Sequence, residues 1–265
     1  MTQLPLDGDW TRPHALRVVD DYGYVGDGAS GAHGALCENG EEYLLKGPAY
    51  SPGHPQVAAN EIIAAGLAGL LTLPILDHTI AESDGHLFFA SSLMPKKTFM
   101  PFVTPELLET CQNRDRVYDV AVFDTWICNS DRHSGNLLLR EVQGRRGNAT
   151  YRMMLMNDHS HSLVQPGAQA DGLPTILDAP ARSFIQLEMI KESIRDRDRL
   201  EADIAAAEGV SDYDLEHLVR GVPTPLLPDD DRRHYIGHLV TRRDRLRSLL
   251  TSDAELFPHL GGIQS

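Results

Sequence analysis

The sequence predicts an α+β protein in two lobes: a small β-rich lobe with one helix over residues 1–94, and a mainly α lobe over residues 95–265. Three observations carry this. Short β-prone runs separated by turn residues fill the first hundred positions. One Ala- and Gly-rich apolar helix interrupts them. From Thr104 onward the apolar residues fall at helical spacing.

Taken in order, residues 16–19 are β-prone and lead through Tyr22-Gly23-Tyr24-Val25 into a glycine cluster, residues 26–34. Ala35-Leu36-Cys37 and Glu42-Tyr43-Leu44-Leu45-Lys46 flank Asn39-Gly40. That dipeptide predicts a hairpin with a type I′ turn, which needs positive φ at both central positions. Pro52 and Pro55 break the chain before a helix over residues 56–71, and another strand is expected at 87–90. A buried helix is expected over 114–128, where Val117, Val120, Ala121, Phe123 and Trp126 crowd together. Residues 137–139 and 153–156 read as short strands around a polar turn at 143–149. Helices are expected near 183–200, 212–220 and 231–250.

Composition narrows the function. The formal net charge of −14 disfavours a general DNA or RNA binder, because affinity for phosphate chains needs a basic face. An anionic membrane surface is disfavoured for the same reason. Three cysteines without a CxxC exclude a disulfide scaffold and fit a reducing compartment. Residues 1–13 carry no apolar run of the signal-peptide kind, and the apolar stretch at 62–75 is too short for a span. A cytoplasmic protein is expected.

Four segments carry chemistry. Gly26, Gly28 and Gly31 form a GxGxxG, with Ser30 among them. It lies between two strands of a hairpin, where such a loop closes over ATP phosphates, and not at the strand-to-helix turn of a dinucleotide-binding unit. Lys46 ends the strand below that loop and is placed to reach the phosphates. Glu61 sits on an apolar helix, where an unpaired carboxylate costs several kcal/mol, roughly; Lys46 is its natural partner. Asp131 and Asn136, five residues apart in Asn129-Ser130-Asp131-Arg132-His133-Ser134-Gly135-Asn136, can divide two tasks. Asp131 can orient an attacking hydroxyl and accept its proton, and Asn136 can offer a carbonyl to a metal on the phosphates. Asp158 follows the apolar run Met153-Met154-Leu155-Met156 and is suited to Mg²⁺, a cation held by hard oxygens and substrate phosphates.

The Asp131–Asn136 loop resembles the catalytic loop of HipA-like kinases and of phosphatidylinositol 3-/4-kinases, which read DRHxxN where most eukaryotic protein kinases read HRDxxxxN. Asp158-His159-Ser160-His161 resembles the metal-binding segment of small bacterial HipA-like kinase proteins. The resemblance covers residues 16 to about 164. It implies a protein-kinase-like fold, with Asp131 catalytic, Asn136 and Asp158 as metal ligands, Lys46 on the phosphates and Glu61 as its partner. Adenine would lie near a connector ending at Met94. It also implies ATP and Mg²⁺ as cofactors, Ser/Thr of a protein as acceptor, autophosphorylation at Ser30, and a partner antitoxin. The sequence departs from the kinase pattern in having His-Ser, not Phe-Gly, after Asp158, and in lacking an Ala-Pro-Glu segment.

The expected function is therefore an ATP- and Mg²⁺-dependent phosphotransferase acting on a protein Ser/Thr. Its rivals are a lipid kinase or nucleotidyltransferase on the same fold, a silent nucleotide-binding module, and a metal-dependent phosphohydrolase. The last would use Asp131, His133, Asp158, His159 and His161 and would not need Lys46 or Glu61.

Overall fold

The computed structural model of the chain describes residues 15–25, 31–93, 99–100, 104–143, 150–163 and 177–260. Five strands close into a barrel in the order β1-β2-β3-β5-β4: β1 (Leu16–Tyr24), β2 (His33–Cys37), β3 (Glu42–Lys46), β4 (His78–Ser83) and β5 (His86–Ser92). Antiparallel pairing runs throughout except at the closing seam, where Leu16 and Arg17 of β1 pair in parallel with Ala81 and Glu82 of β4. The barrel is narrow, and small residues fill it: Ala35, Cys37, Ala81 and Ala90 pack with Leu45 and Phe88 as a compact core of their own.

The expected hairpins form, with one exchange of turn geometry. Around Asn39-Gly40 only Gly40 has positive φ, +80°. The Gly40 N–H donates to the Cys37 carbonyl, so the connection is a three-residue turn with glycine at the left-handed position, not a type I′ turn. Asn39 instead spends its side chain, accepting from the Glu41 N–H at 3.1 Å. Positive φ at both central residues occurs between β4 and β5, at Asp84 (+50°) and Gly85 (+78°). That second hairpin, and β4 with it, was not among the expected elements.

Helix α1 (Val57–Leu70) follows the barrel's third strand, as the alanine-rich pattern predicts. It does not pack only on the barrel. Its buried residues join one continuous core with Ile80 and Phe89 of the barrel, a second sheet and the C-terminal helices. A Cβ on Gly66 would stand 2.2 Å from Leu218, so glycine is what lets α1 approach the helix that carries Leu218.

The second sheet, β6-β7-β8, comprises β6 (Phe99–Met100), β7 (Leu137–Gln143) and β8 (Thr150–Met156). The β7–β8 ladder pairs Leu137 with Met156 through to Gln143 with Thr150, so both strands run longer than expected. The helices are α2 (Pro105–Glu109), α3 (Val117–Ile127), α4 (Glu188–Ser193), α5 (Arg197–Glu208), α6 (Asp212–Arg220), α7 (Asp229–Arg243) and α8 (Leu246–Thr251). All of α3 is buried. Its Trp126 donates from the indole N–H to the Leu239 carbonyl at 2.8 Å.

Two expected helices are split. The one near 183–200 breaks before Asp196, whose side chain caps α5 by accepting from the Arg199 N–H. The freed N–H groups of Arg195 and Asp196 both donate to the Tyr118 hydroxyl, each at 2.9 Å. A buried tyrosine oxygen thus replaces the helical partners. The helix expected over 231–250 divides at Asp244-Arg245 into α7 and α8.

His238 of α7 is buried, and neither ring nitrogen has a hydrogen-bond partner among the described residues. Burial, with the Arg242 charge one turn on, pushes its pKa down to about 3. The unfolded chain then binds a proton between that value and the ordinary histidine range that the folded chain refuses. Stability on this account is complete above about pH 6.5 and is lost as pH falls. Between pH 7.5 and 5.5 wild-type protein is expected to lose about 1 kcal/mol more than His238→Phe. Urea unfolding at both pH values checks this, and equal losses would refute it.

Candidate active site

Lys46 is the last residue of β3, and Glu61 lies one turn into α1. The two meet at 2.6 Å, Nζ to Oε1, with both side chains only 3% exposed. The same ammonium lies 2.7 Å from Asp158 Oδ1. Asp158 stands just beyond β8 with φ of +54°, a backbone state that non-glycine residues hold only when their surroundings fix it. Burial alone would lower the Lys46 pKa; the carboxylates of Asp158 and Glu61 outweigh it and hold the ammonium above its usual range. Burial alone would raise Glu61 and Asp158, and Lys46 overrides it in both, keeping each carboxylate below its ordinary value. The cluster is a charged triad of one ammonium and two carboxylates.

Three polar residues complete it. The Ser160 hydroxyl lies 2.6 Å from Asp158 Oδ1, 2.9 Å from Lys46 Nζ and 3.0 Å from Glu61 Oε1. His159 is buried, with Nδ1 3.4 Å from Glu61 Oε2 and its ring edge-on to Phe123. Asn60, beside Glu61 on α1, donates to the Ser160 carbonyl at 2.9 Å and accepts from the Tyr235 hydroxyl at 3.0 Å. Helices α1 and α7, strand β3 and the segment after β8 are thus tied at one point.

The loop of Asp131 and Asn136 leaves α3 through Cys128, a left-handed C-cap with φ of +55°. Its frame is Arg132, which is buried and forms a bidentate pair with Asp124 of α3, Nε to Oδ2 at 2.9 Å and a terminal nitrogen to Oδ1 at 3.0 Å. The other terminal nitrogen of Arg132 donates to the carbonyls of Asn136 (2.8 Å) and Asn157 (2.7 Å). These carbonyls lie at the start of β7 and the end of β8. One guanidinium therefore sets the Asp131–Asn136 loop against the segment bearing Asp158. The Asn157 N–H also donates to the Asn136 carbonyl, 3.1 Å. The Asp131 side chain is about half exposed, with His133 Nε2 4.0 Å away.

The remaining atoms suit a hard cation. Asn136 spends its amide N–H on the Asp131 carbonyl (2.8 Å), and its side-chain oxygen takes no partner among the described residues. On Asp158 every hydrogen bond among the described residues falls on Oδ1, and the side chain is 26% exposed. One amide oxygen and one ionised carboxylate oxygen fit Mg²⁺ better than a softer metal. Among the described residues no three His, Cys, Asp or Glu side chains are grouped to hold a metal. His159, one of the residues of the phosphohydrolase reading, lies against Glu61.

Of the residues Gly26, Gly28, Ser30 and Gly31, Gly31 is described. Its φ is +58°, and a Cβ there would lie 2.6 Å from the Tyr50 carbonyl oxygen. Val25 N–H donates to the Ala32 carbonyl at 2.9 Å and closes the base of the loop between β1 and β2. Gly26, Gly28 and Ser30, like Met94 and the turn after Gln143, lie outside the described residues.

Sequence reasoning brought Lys46, Glu61 and Asp158 to one phosphate site, and the structure joins all three. It missed Asp124, Asn60 and Tyr235. Asp124 carried the same signal as Glu61, a carboxylate inside a buried helix; the other two carried none.

A mixed α/β protein with a lysine–carboxylate triad beside an Asp–Asn loop is the setting in which the comparisons fall. Residues 22–145 match the family described as HipA-like kinase, a span that takes in Lys46, Glu61, Asp131 and Asn136 and stops short of Asp158. The resemblance carried by the Asp131–Asn136 loop is thus shown over that segment. No curated protein matches the chain. Among solved structures it is similar to a Helicobacter pylori proinflammatory kinase, CtkA, at 14% identity over 94% of this chain and 98% of that one, with a TM-score of 0.48. It is also similar to HipA from the Shewanella oneidensis MR-1 complex of HipA, HipB and operator DNA, at 12% identity, 80% and 59% coverage and a TM-score of 0.45. A Golgi casein kinase with Mn/ADP bound matches at 11% identity, 91% and 73% coverage and 0.45. No helix among the described residues is long and apolar enough to cross a membrane.

Proposed function

We propose that the protein is an ATP- and Mg²⁺-dependent kinase with a two-lobed, kinase-like arrangement divided near Met94, whose acceptor is a Ser or Thr hydroxyl of a protein. The observation that carries the reading is the Lys46–Glu61–Asp158 triad, a buried Lys46–Glu61 pair joined by the half-buried Asp158 where β3, α1 and the segment after β8 meet, with the Asp131–Asn136 loop tied to it by Arg132. A buried ammonium shared by two carboxylates is poor as a stability device, since desolvation offsets the attraction. It is well suited to hold an ammonium ready for phosphate oxygens.

In this reading Lys46 steadies the nucleotide phosphates, and Glu61 keeps it there. Asp158 and Asn136 would hold Mg²⁺, which would neutralise charge on the phosphates. Asp131 orients the acceptor hydroxyl and takes its proton as the oxygen bonds to the γ-phosphorus and the bond to the β–γ bridging oxygen breaks. The charge of −14 supports a protein acceptor over a lipid headgroup. The family resemblance extends the proposal to an antitoxin partner.

Incubation with α- and γ-labelled ATP and Mg²⁺ tests the reading. The γ label is expected on protein; the α label on protein would favour the nucleotidyltransferase. Mg²⁺ with ATP should also raise the melting temperature, because a ligand bound only to the folded chain stabilises it by mass action. Asp158→Ala should lose most of the Mg²⁺-dependent part of that shift. An unchanged shift removes Asp158 from the metal site.

A further inference from the structure

The two oxygens of the Asp158 carboxylate are treated differently. Oδ1 receives Lys46 Nζ at 2.7 Å, the Ser160 hydroxyl at 2.6 Å and the Ser160 backbone N–H at 3.2 Å. Oδ2 accepts no hydrogen bond among the described residues. A carboxylate oxygen has two lone-pair directions, so three donors saturate Oδ1. The single Ser160 proton serves the shortest contact, to Asp158, and the hydroxyl oxygen accepts from Lys46. Ser160 is itself held: it is buried, and its carbonyl is gripped by Asn60, which Tyr235 anchors from α7.

From this geometry we infer that Ser160 is a positioning residue which occupies Oδ1 of Asp158 and so reserves Oδ2 for the divalent cation. The inference rests on the kinase reading above and goes beyond it by assigning a role two residues after the metal-binding aspartate. With the hydroxyl gone, Oδ1 keeps only Lys46 and one amide, and the carboxylate is free to rotate about its last torsion, a broad one. Lys46 can then draw either oxygen, and the cation must compete with the ammonium for the oxygen it needs. The consequence falls on metal affinity, not on the fold: Asp158 stays ionised beside Lys46, and Asn60 still holds the backbone.

The test uses the full chain and Mn²⁺ as a paramagnetic probe, counted as free ion by electron paramagnetic resonance, with a non-hydrolysable imido analogue of ATP. Ser160→Ala is expected to weaken Mn²⁺ binding to the nucleotide complex about tenfold, the scale of one hydrogen bond to a charged group. Nucleotide affinity without metal and the metal-free melting temperature should stay close to wild type. Ser160→Cys, with a weaker donor, should fall between the two. Wild-type Mn²⁺ affinity in Ser160→Ala would overturn the inference. So would a parallel loss of metal-free nucleotide affinity and melting temperature, the mark of a merely structural serine. Absence of metal-dependent nucleotide binding in the wild-type protein would refute the kinase reading and this inference together, whereas a wild type that binds beside an unaffected Ser160→Ala refutes this inference alone.

Discussion

Asp131→Asn is expected to lower γ-phosphoryl transfer by about 10²–10⁴-fold, the range that one positioned general base contributes. The substitution keeps the size of the side chain and removes its ability to take a proton. It should leave the loop in place, because the side chain does not hold the loop. The Asp131 N–H donates to the Asn129 side chain at 3.1 Å, and its carbonyl accepts from Asn136 at 2.8 Å; neither bond uses the carboxylate. The carboxylate is also about half exposed, so no buried partner is orphaned by its loss. Nucleotide binding should therefore persist, with the Mg-ATP melting shift of the wild-type chain. Initial rates of γ-label transfer and that shift, measured on one preparation, separate the two effects. A variant that keeps more than a tenth of the rate is incompatible with Asp131 as the base. A variant that loses the melting shift as well would place Asp131 in nucleotide binding instead.

How far the site was legible depends on distance along the chain. The pairing of Lys46 with Glu61 spans 15 residues, and a buried carboxylate on an alanine-rich helix demanded a cation near it. Asp131 and Asn136 announced themselves by spacing within one loop. The link from Asn60 to Tyr235 spans 175 positions, and that from Ser160 to Lys46 spans 114, so no local pattern could suggest either. Turn chemistry was partly legible. Asp84-Gly85 carried the same two-residue signal as Asn39-Gly40, yet β4 was missed because His78-Thr79-Ile80-Ala81-Glu82-Ser83 has only a short apolar centre. The break near Asp196 was hidden for a different reason. An Asp can cap a helix or sit on its surface, and what decides here is the Tyr118 hydroxyl, 77 and 78 residues away, waiting for two backbone N–H groups. The shared core of α1 and the C-terminal helices was likewise hidden, since the apolar face of α1 does not say which neighbour will cover it.

The largest stability effect is expected at Arg132. Its side chain and that of Asp124 are each 1% exposed, and the guanidinium spends its donors on one carboxylate and two carbonyls. Replacing it by methionine leaves Asp124 buried with, among the described residues, only the Asn129 amide, 3.1 Å away, to answer its charge. Breaking a buried pair from one side typically costs about 3–5 kcal/mol, and the carbonyls of Asn136 and Asn157 lose their shared donor as well. Arg132→Lys should rescue only part, because a lysine cannot meet both carboxylate oxygens and both carbonyls from one planar fork. The double variant Asp124→Leu with Arg132→Met should be more stable than Arg132→Met alone, since it removes the stranded charge. Denaturant unfolding of the four proteins reads these differences directly. A loss below about 1 kcal/mol in Arg132→Met would mean that the pair is worth no more than a surface one. The frame's catalytic consequence is separable. If Arg132 sets the start of β7 against the end of β8, the double variant should recover stability while still losing metal-dependent nucleotide binding, because the carbonyls of Asn136 and of Asn157, the residue before Asp158, no longer share a donor.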